Sequence, residues 1–218
     1  MKTIKRIIKQ EKIVAIVRGV EKDRFKAVVE ALLEGGVNCI EVTMSPGNPE
    51  ETEAALEMIS ILKDDYAESV HPGAGTVIKR DHLKRAVSAG AEYIISPSTQ
   101  PDLIEAAKVL DKVAIPGAAT PTEAVEAEQA GADFVKFFPA AVSGASYMKA
   151  LQGPISHIPF LAVGGISTEN AEEFLQAGAA GLGVGGGLVD SEAIDAERYD
   201  LIKKKAEKFK EIIEKNSS

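Results

Sequence analysis

Short apolar runs alternate along the chain with longer stretches in which apolar residues recur every three or four positions. The short runs predict eight strands, and the stretches between them predict amphipathic helices. The predicted strands lie near Ile13–Val17, Asn38–Thr43, Ser69–Gly73, Tyr93–Ser96, Val113–Pro116, Phe134–Phe138, Phe160–Val163 and Gly181–Val184. An additional helix is predicted before the first strand, and a long helix from about Glu192 to Lys215 is predicted at the end.

Strands that alternate with helices imply a parallel sheet with right-handed crossovers. Eight such units within 218 residues predict an α/β fold, a (β/α)8 TIM barrel near its lower size limit, with an extra N-terminal helix. No linker rich in glycine or serine divides the chain, so we expect a single domain over residues 1–218. An open doubly wound sheet would place a glycine fingerprint after the first strand, where the chain instead reads Arg18-Gly19-Val20-Glu21.

Charge and cysteine content limit the partners of the protein. The formal net charge of −8 argues against nucleic acid, which is bound by clustered basic residues. No apolar run approaches the roughly 18 residues that a membrane span needs. A single cysteine, Cys39, fits a reducing compartment and reads as a small core residue. We therefore expect a cytoplasmic protein without nucleic-acid or membrane partners.

One lysine occupies an unusual place, in the apolar run Phe134-Val135-Lys136-Phe137-Phe138-Pro139. Lysine is almost never fully buried unless it is paired or used, and burial lowers the pKa of its amine. A neutral amine on a rigid strand can attack a ketone and form an imine. Lys136 is therefore the candidate nucleophile.

Alternation along the predicted strands places two further charged residues near this lysine. Glu41 in the second strand and Arg18 at the end of the first are expected to face the same confined space as Lys136. Glu41 could act as a general acid and base, and Arg18 could hold a carboxylate by a charge-assisted contact. A buried Lys136–Glu41 ion pair without a catalytic role is the alternative interpretation.

Glycine-rich turns indicate an anion site. Gly164-Gly165 follows the seventh predicted strand and Gly185-Gly186 the eighth, where barrel loops often bind phosphate through backbone N–H groups. A further turn, Gly73-Ala74-Gly75-Thr76, is predicted after the third strand and offers the Thr76 hydroxyl. The three histidines show no metal-ligand spacing, so neither a metal site nor a cofactor is expected.

Together these motifs resemble a known family over nearly the whole chain, the 2-keto-3-deoxy-6-phosphogluconate aldolases, also called 4-hydroxy-2-oxoglutarate aldolases. The matching stretches are IVAIVRG, GGVNCIEVTMS, GAGTV, GAEYIISP, IPGAATPTE, VKFFPA, MKALQGP, VGGIS and GVGGGLV. The run VKFFPA, preceded about a hundred residues earlier by IEVT, is the specific part of this likeness.

The resemblance implies a metal-independent class I aldolase, a lyase of carbohydrate metabolism that forms a cytoplasmic homotrimer. It would cleave a 2-keto-3-deoxy (phospho)sugar acid or 4-hydroxy-2-oxoglutarate into pyruvate and an aldehyde through a Schiff base. The family pattern makes Lys136 and Glu41 catalytic and assigns phosphate to the glycine turns. The residues that would contact the keto acid substrate are Arg18, Thr43, Thr76, Pro97 and Phe138; those that would bind phosphate are Gly164, Gly165, Gly185 and Gly186.

Three positions depart from the family pattern and leave the exact substrate open. Ser45 stands where many members have arginine, Ala162-Val163 replaces Pro-Thr, and Gly187 replaces a serine. Two other functions stay possible on the residues alone. One is a phosphosugar isomerase or synthase that needs no imine, and the other is a barrel that binds a sugar acid without turnover.

Overall fold

A computed structural model describes residues 3–216, and residues 1, 2, 217 and 218 of the predicted domain lie outside them. Parallel strands surrounded by helices form the structure. The strands are β1 Ile13–Val17, β2 Cys39–Thr43, β3 His71–Gly75, β4 Tyr93–Ile95, β5 Val113–Ile115, β6 Gly117–Ala118, β7 Val135–Phe137, β8 Phe160–Val163 and β9 Gly181–Val184. The helices are α1 Ile4–Glu11, α2 Lys22–Glu34, α3 Pro49–Asp65, α4 Arg80–Ser88, α5 Pro101–Val109, α6 Pro121–Gln129, α7 Ala140–Ser143, α8 Ala145–Gln152, α9 Ala171–Gln176, α10 Ser191–Asp195 and α11 Tyr199–Lys215.

The predicted fifth strand corresponds to β5, and a short further strand after Pro116, β6, closes the barrel. Strand order runs β5-β4-β3-β2-β1-β9-β8-β7-β6, so β5 and β6 end the row on opposite sides. Only Pro116 separates them along the chain, and proline cannot donate to a strand ladder. β5 pairs with β4, while β6 pairs with β7 through Gly117 and Lys136. One segment thus joins both ends of the sheet, and the predicted (β/α)8 barrel is confirmed.

The predicted N-terminal helix is confirmed as α1, and it packs against one end of the barrel. Its residue Ile8 is fully buried in the cluster of interior side chains that includes Val14 and Tyr93. Barrels carry their active sites at the other end, where the carboxyl ends of the strands lie. None of the helices within residues 3–216 is long and apolar enough to cross a membrane.

The predicted long C-terminal helix is wrong in one respect, because the structure divides it into α10 and α11. Glu197 adopts a left-handed conformation with φ 55°, and the Arg198 amide donates back to the Ala193 carbonyl. These features end α10, and α11 begins at Tyr199. The apolar pattern continues across the break, which is why periodicity alone did not reveal it.

The predicted glycine turn at residues 73–76 is also wrong, since Gly73 and Gly75 belong to strand β3. A Cβ atom on Gly73 would overlap the ring of Tyr93, and one on Gly75 would overlap the Glu41 carboxylate. Glycine is therefore required at both positions, because large side chains from the neighbouring strands occupy the space where a Cβ atom would lie. Only Thr76, with φ 58°, begins the turn.

The space above Gly73 yields a stability prediction. Gly73→Ala should lower the free energy of unfolding by about 1–3 kcal/mol, because the Tyr93 ring is fully buried and cannot move aside. Urea unfolding measures this difference. Gly47→Ala is the control, since its added methyl group would meet no atom within 4 Å. Equal stability of the two variants would contradict the packing described here.

Candidate active site

Lys136 lies in the middle of β7 with its side chain buried. Its backbone amide donates to the Pro116 carbonyl at 2.8 Å, and the residue as a whole is 5% exposed. Its Nζ atom lies 4.7 Å from the centroid of the Phe138 ring. No described residue forms a hydrogen bond or ion pair with this amine. The Nζ atom of Lys136 is therefore buried without a protein partner and can react with another molecule.

Glu41 is the second buried ionisable group at this end of the barrel, with an exposed fraction of 1%. Its Oε1 atom accepts a hydrogen bond from the Thr43 hydroxyl at 3.4 Å. Its Oε2 atom has no hydrogen-bond partner among the described residues. The carboxylate occupies the space that the missing side chain of Gly75 leaves free. A carboxyl held in this way can accept or release a proton inside the barrel.

Burial moves the pKa values of the two groups in opposite directions. Burial raises the pKa of Glu41 above its usual value, although Lys136, Arg18 and the Thr43 hydroxyl each act to lower it. Burial lowers the pKa of Lys136, against the attraction of Glu41 and together with the repulsion of Arg18. Both shifts favour the neutral forms, which are a nucleophilic amine and a carboxylic acid.

A cavity of about 430 Å³ opens beside Lys136. It is lined by Ile16, Arg18, Lys136, Phe138, Val163, Gly164, Gly165, Ile166, Gly185, Gly186, Gly187, Val189 and Ser191. Its volume suits a small organic ligand. The amine lies on one wall, and the exposed side chain of Arg18 and the two glycine turns lie on others. Lys136, Arg18 and the glycine turns, which were predicted from separate segments, thus share one cavity.

The glycine turns that line this cavity carry unused backbone donors. No described residue accepts a hydrogen bond from the amides of Gly165, Ile166, Gly186 or Gly187. Gly164 and Gly165 adopt φ angles of 97° and 72°, which other residues rarely tolerate. Free N–H groups gathered at the carboxyl ends of β8 and β9 are the arrangement that binds anionic groups.

Four of the predicted site residues lie outside the lining of this cavity, and the buried Glu41 is one of them. Thr43 is buried behind it as the donor to Glu41, and Thr76 follows β3 just beyond Gly75. Pro97 follows β4, and its carbonyl packs against Gly117. Ser191, which sequence reasoning missed, does line the cavity as the first residue of α10. No sequence signal marked it, because α10 was not separated from the helix that follows.

A (β/α)8 barrel with a buried, unpaired amine beside a carboxyl and an anion-binding turn defines a class of barrel enzymes that act on carbonyl compounds. Comparison with known proteins identifies the family. The model of the family "Aldolase: KDPG and KHG aldolase" matches residues 4–205, and the chain belongs to this family.

Curated relatives and solved structures agree with this assignment. The chain is 33% identical to the 2-dehydro-3-deoxy-6-phosphogalactonate aldolase of Escherichia coli K12, over 81% of this chain and 83% of the relative. It is 35% identical to the KHG/KDPG aldolase of the same strain, over 82% and 81% of the two chains. A crystal structure of the KDPG aldolase of Legionella pneumophila, with pyruvate captured at low pH as a covalent carbinolamine intermediate, is 30% identical. It superposes with a TM-score of 0.83 over 93% of this chain and 96% of that chain.

The raised pKa of Glu41 makes a prediction that does not depend on catalysis. A carboxyl whose pKa is higher in the folded state loses stabilising effect as the pH rises through that folded pKa. Glu41→Gln should therefore gain stability relative to the wild-type protein as the pH rises from about 4.5. Urea unfolding between pH 5 and pH 9 measures the difference. A difference that stays constant over this range would contradict the burial of an ionisable group at this position.

Proposed function

We propose that this protein is a class I aldolase that cleaves a 2-keto-3-deoxy phosphosugar acid into pyruvate and an aldehyde through an imine on Lys136. The observation that carries the proposal is the Lys136 amine, which is buried, unpaired and at the wall of the cavity. Family membership supports the reaction, since the relatives are named aldolases. The protein is proposed to need neither a metal ion nor a cofactor.

Lys136 begins the proposed reaction. Its neutral amine attacks the C2 ketone, a C–N bond forms, and the carbinolamine loses water to give the imine. Glu41 supplies the proton that leaves with this water. The resulting carboxylate takes the proton of the C4 hydroxyl while the C3–C4 bond breaks, which releases the aldehyde and leaves an enamine. Protonation at C3 and hydrolysis of the imine then release pyruvate and restore the amine.

Positive charge and hydroxyl groups around Lys136 are proposed to orient the substrate. Arg18 would hold the carboxylate of the keto acid, because its guanidinium reaches the cavity without an ion-pair partner among the described residues. Thr76 would contact the same carboxylate from the end of β3. Phe138 would cover the reacting carbons with the face that it presents to Lys136. Thr43 and Pro97 would support the residues that contact the substrate. Thr43 would do so by donating a hydrogen bond to Glu41.

The glycine turns are proposed to bind the phosphate group of the substrate. Their unused amides supply several donors, and Gly164, Gly165, Gly185 and Gly186 all line the cavity with Lys136. Val163 also lines the cavity and presents no hydroxyl to the sugar chain. One of the relatives is named as an aldolase of 2-dehydro-3-deoxy-6-phosphogalactonate, which supports a phosphorylated substrate.

A homotrimer in the cytoplasm is proposed from the family resemblance. Several large apolar side chains on the surface of the single chain would be suitable for burial between subunits, among them Val142 at 84% exposed and Val109 at 85%.

The imine makes the most direct prediction. Incubation with pyruvate followed by borohydride should attach a reduced pyruvyl group to Lys136, which peptide mass spectrometry can locate. Lys136→Met should abolish the adduct, whereas Lys149→Met, which removes an exposed lysine on α8, should leave it unchanged. EDTA should have no effect. Absence of an adduct from the folded wild-type protein would favour an imine-free phosphosugar enzyme or a binding barrel.

The phosphate site can be tested at Gly186, where an added Cβ would meet no atom within 4 Å. Gly186→Asp should raise KM for a phosphorylated substrate by about tenfold or more, because it places a carboxylate beside the phosphate. KM for the unphosphorylated analogue should change much less. Gly186→Ala separates added bulk from added charge. Equal effects of Asp on both substrates would place the phosphate elsewhere.

The proposed oligomer is tested by light scattering coupled to size-exclusion chromatography. We expect the mass of three chains. The mass of one chain, at protein concentrations where activity is measured, would contradict the proposed trimer.

A further inference from the structure

The side chain of Asn170 makes two hydrogen bonds within residues 3–216, and both go back to the glycine turn that follows β8. Its Nδ2 atom donates to the Gly165 carbonyl at 2.9 Å, and its Oδ1 atom accepts from the Ser167 amide at 2.9 Å. Asn170 stands at the N-cap of α9, where an asparagine side chain usually accepts from the first amides of its own helix. Here it caps none of them. The side chain therefore holds the turn rather than the helix.

The bond from Asn170 to Gly165 fixes the direction of the amide that follows. The Gly165 carbonyl and the Ile166 N–H belong to one planar trans peptide unit, so they point in opposite directions. Asn170 lies outside the cavity lining and holds the carboxyl-side oxygen of Gly165, which turns the Ile166 N–H away from Asn170. Ile166 lines the cavity, and no described residue accepts a hydrogen bond from its N–H. This donor is thus kept for a ligand.

The preceding peptide unit is fixed in the same way by α7. The Gly164 carbonyl accepts the Ala141 amide at 2.9 Å. The Gly165 N–H belongs to this peptide unit, so it points away from Ala141, and it also lacks a partner among the described residues. Two successive N–H groups without partners in a turn are suited to bind an anion. A backbone contact fixes the first of them, and the side chain of Asn170 fixes the second.

No other group in the described part of the chain does the work of Asn170. The Ser167 hydroxyl accepts from the Glu169 amide at 3.3 Å, and the Ser167 carbonyl accepts from the Ala171 amide at 2.9 Å. Neither contact involves Gly165. The Gly165 carbonyl accepts a hydrogen bond from Asn170 and from no other residue within 3–216. Removal of the Asn170 side chain would therefore leave the Gly165–Ile166 peptide unit free to rotate.

The two glycine turns also touch each other, so a change in the first affects the second. A Cβ atom on Gly187 would lie 2.2 Å from the Ile166 carbonyl oxygen, which means that the turn after β9 packs directly on this carbonyl. Rotation of the peptide unit next to Ile166 would disturb this contact. The anion site as a whole thus depends on the orientation of the first turn.

We propose that Asn170 is a positioning residue for the anion site: it holds the Gly165 carbonyl so that the Ile166 N–H donates to the anionic group of the substrate. The inference rests on the proposed function, which assigns the phosphate group to these turns. Asn170 itself does not contact the ligand. The turn requires one side-chain donor and one side-chain acceptor at this position, and a carboxamide supplies both.

Titration with inorganic phosphate tests the inference without turnover. In the wild-type protein, phosphate should shift the amide signals of Gly165 and Ile166 in heteronuclear NMR spectra. Asn170→Ala should raise the Kd for phosphate by about tenfold or more, the effect of losing one hydrogen bond to a charged group. Asn170→Ser should raise it equally, although serine is a preferred N-cap and should preserve the start of α9.

Three results of this titration would overturn the inference. An unchanged Kd in both variants would show that the turn keeps its shape without Asn170. A Kd that rises in Asn170→Ala but not in Asn170→Ser would show that only the start of the helix matters. Unshifted Gly165 and Ile166 signals in the wild-type protein would show that phosphate does not bind at this turn.

Asn48→Ala is the matched control. Asn48 is also an N-cap asparagine, but its side chain accepts from the Glu50 and Glu51 amides of its own helix, α3. Its loss should lower the free energy of unfolding and leave the Kd for phosphate unchanged. An equal rise of the Kd in this variant would show a general loosening of the barrel and would also overturn the inference.

Catalysis gives a second measurement. Both Asn170 variants should raise KM for a phosphorylated keto acid and leave the exchange of pyruvate methyl protons with deuterium unchanged, because pyruvate has no phosphate group. Equal losses in both reactions would assign Asn170 to the stability of the barrel and overturn the inference. Absence of the borohydride adduct from the wild-type protein would overturn the proposed aldolase instead, and the phosphate titration would still decide the role of Asn170.

Discussion

The site depends on one electrostatic constraint: an amine and a carboxyl share the inside of a barrel without forming an ion pair. Desolvation acts on both groups, and their mutual attraction only partly offsets it. A closed ion pair would hold Lys136 protonated and remove its nucleophilic lone pair. Because the two groups are separated, the amine lines the cavity and the carboxyl lies outside its lining. The amine can then be neutral and nucleophilic and the carboxyl can hold a proton, which direct contact between them would prevent.

Small residues make this separation possible. β3 contributes almost no side-chain volume to the interior, and the space is occupied by Glu41 and Tyr93 from the strands on either side. The glycines after β8 and β9 line the cavity, and several amides there have no hydrogen-bond partner among the described residues. Glycine thus serves two purposes in one barrel. It makes room for large side chains inside, and at the rim it leaves the cavity wall without side chains.

Much of this arrangement could be predicted from the sequence, because it depends on local patterns. The apolar runs located the strands, and a charged residue inside such a run, Lys136, marked the site. Alternation placed Arg18 and Ile16 on one face, and both line the cavity. The failures concern residues whose role is set by distant neighbours. Gly73 and Gly75 read as a turn because a sequence cannot show which side chains cross them, and Ser191 lines the cavity although no motif marked it.

The break between β5 and β6 at Pro116 has a consequence for the folding of the chain. The carbonyl of Pro116 accepts the backbone amide of Lys136, and Gly117 pairs with the same lysine. The pairing that closes the barrel and the pairing that positions the Lys136 amine are therefore one structural element. A chain that has formed its helices and most of its sheet, but has not joined β6 to β7, holds no organised amine. The proposed reactivity of Lys136 therefore requires that the barrel be closed between β6 and β7.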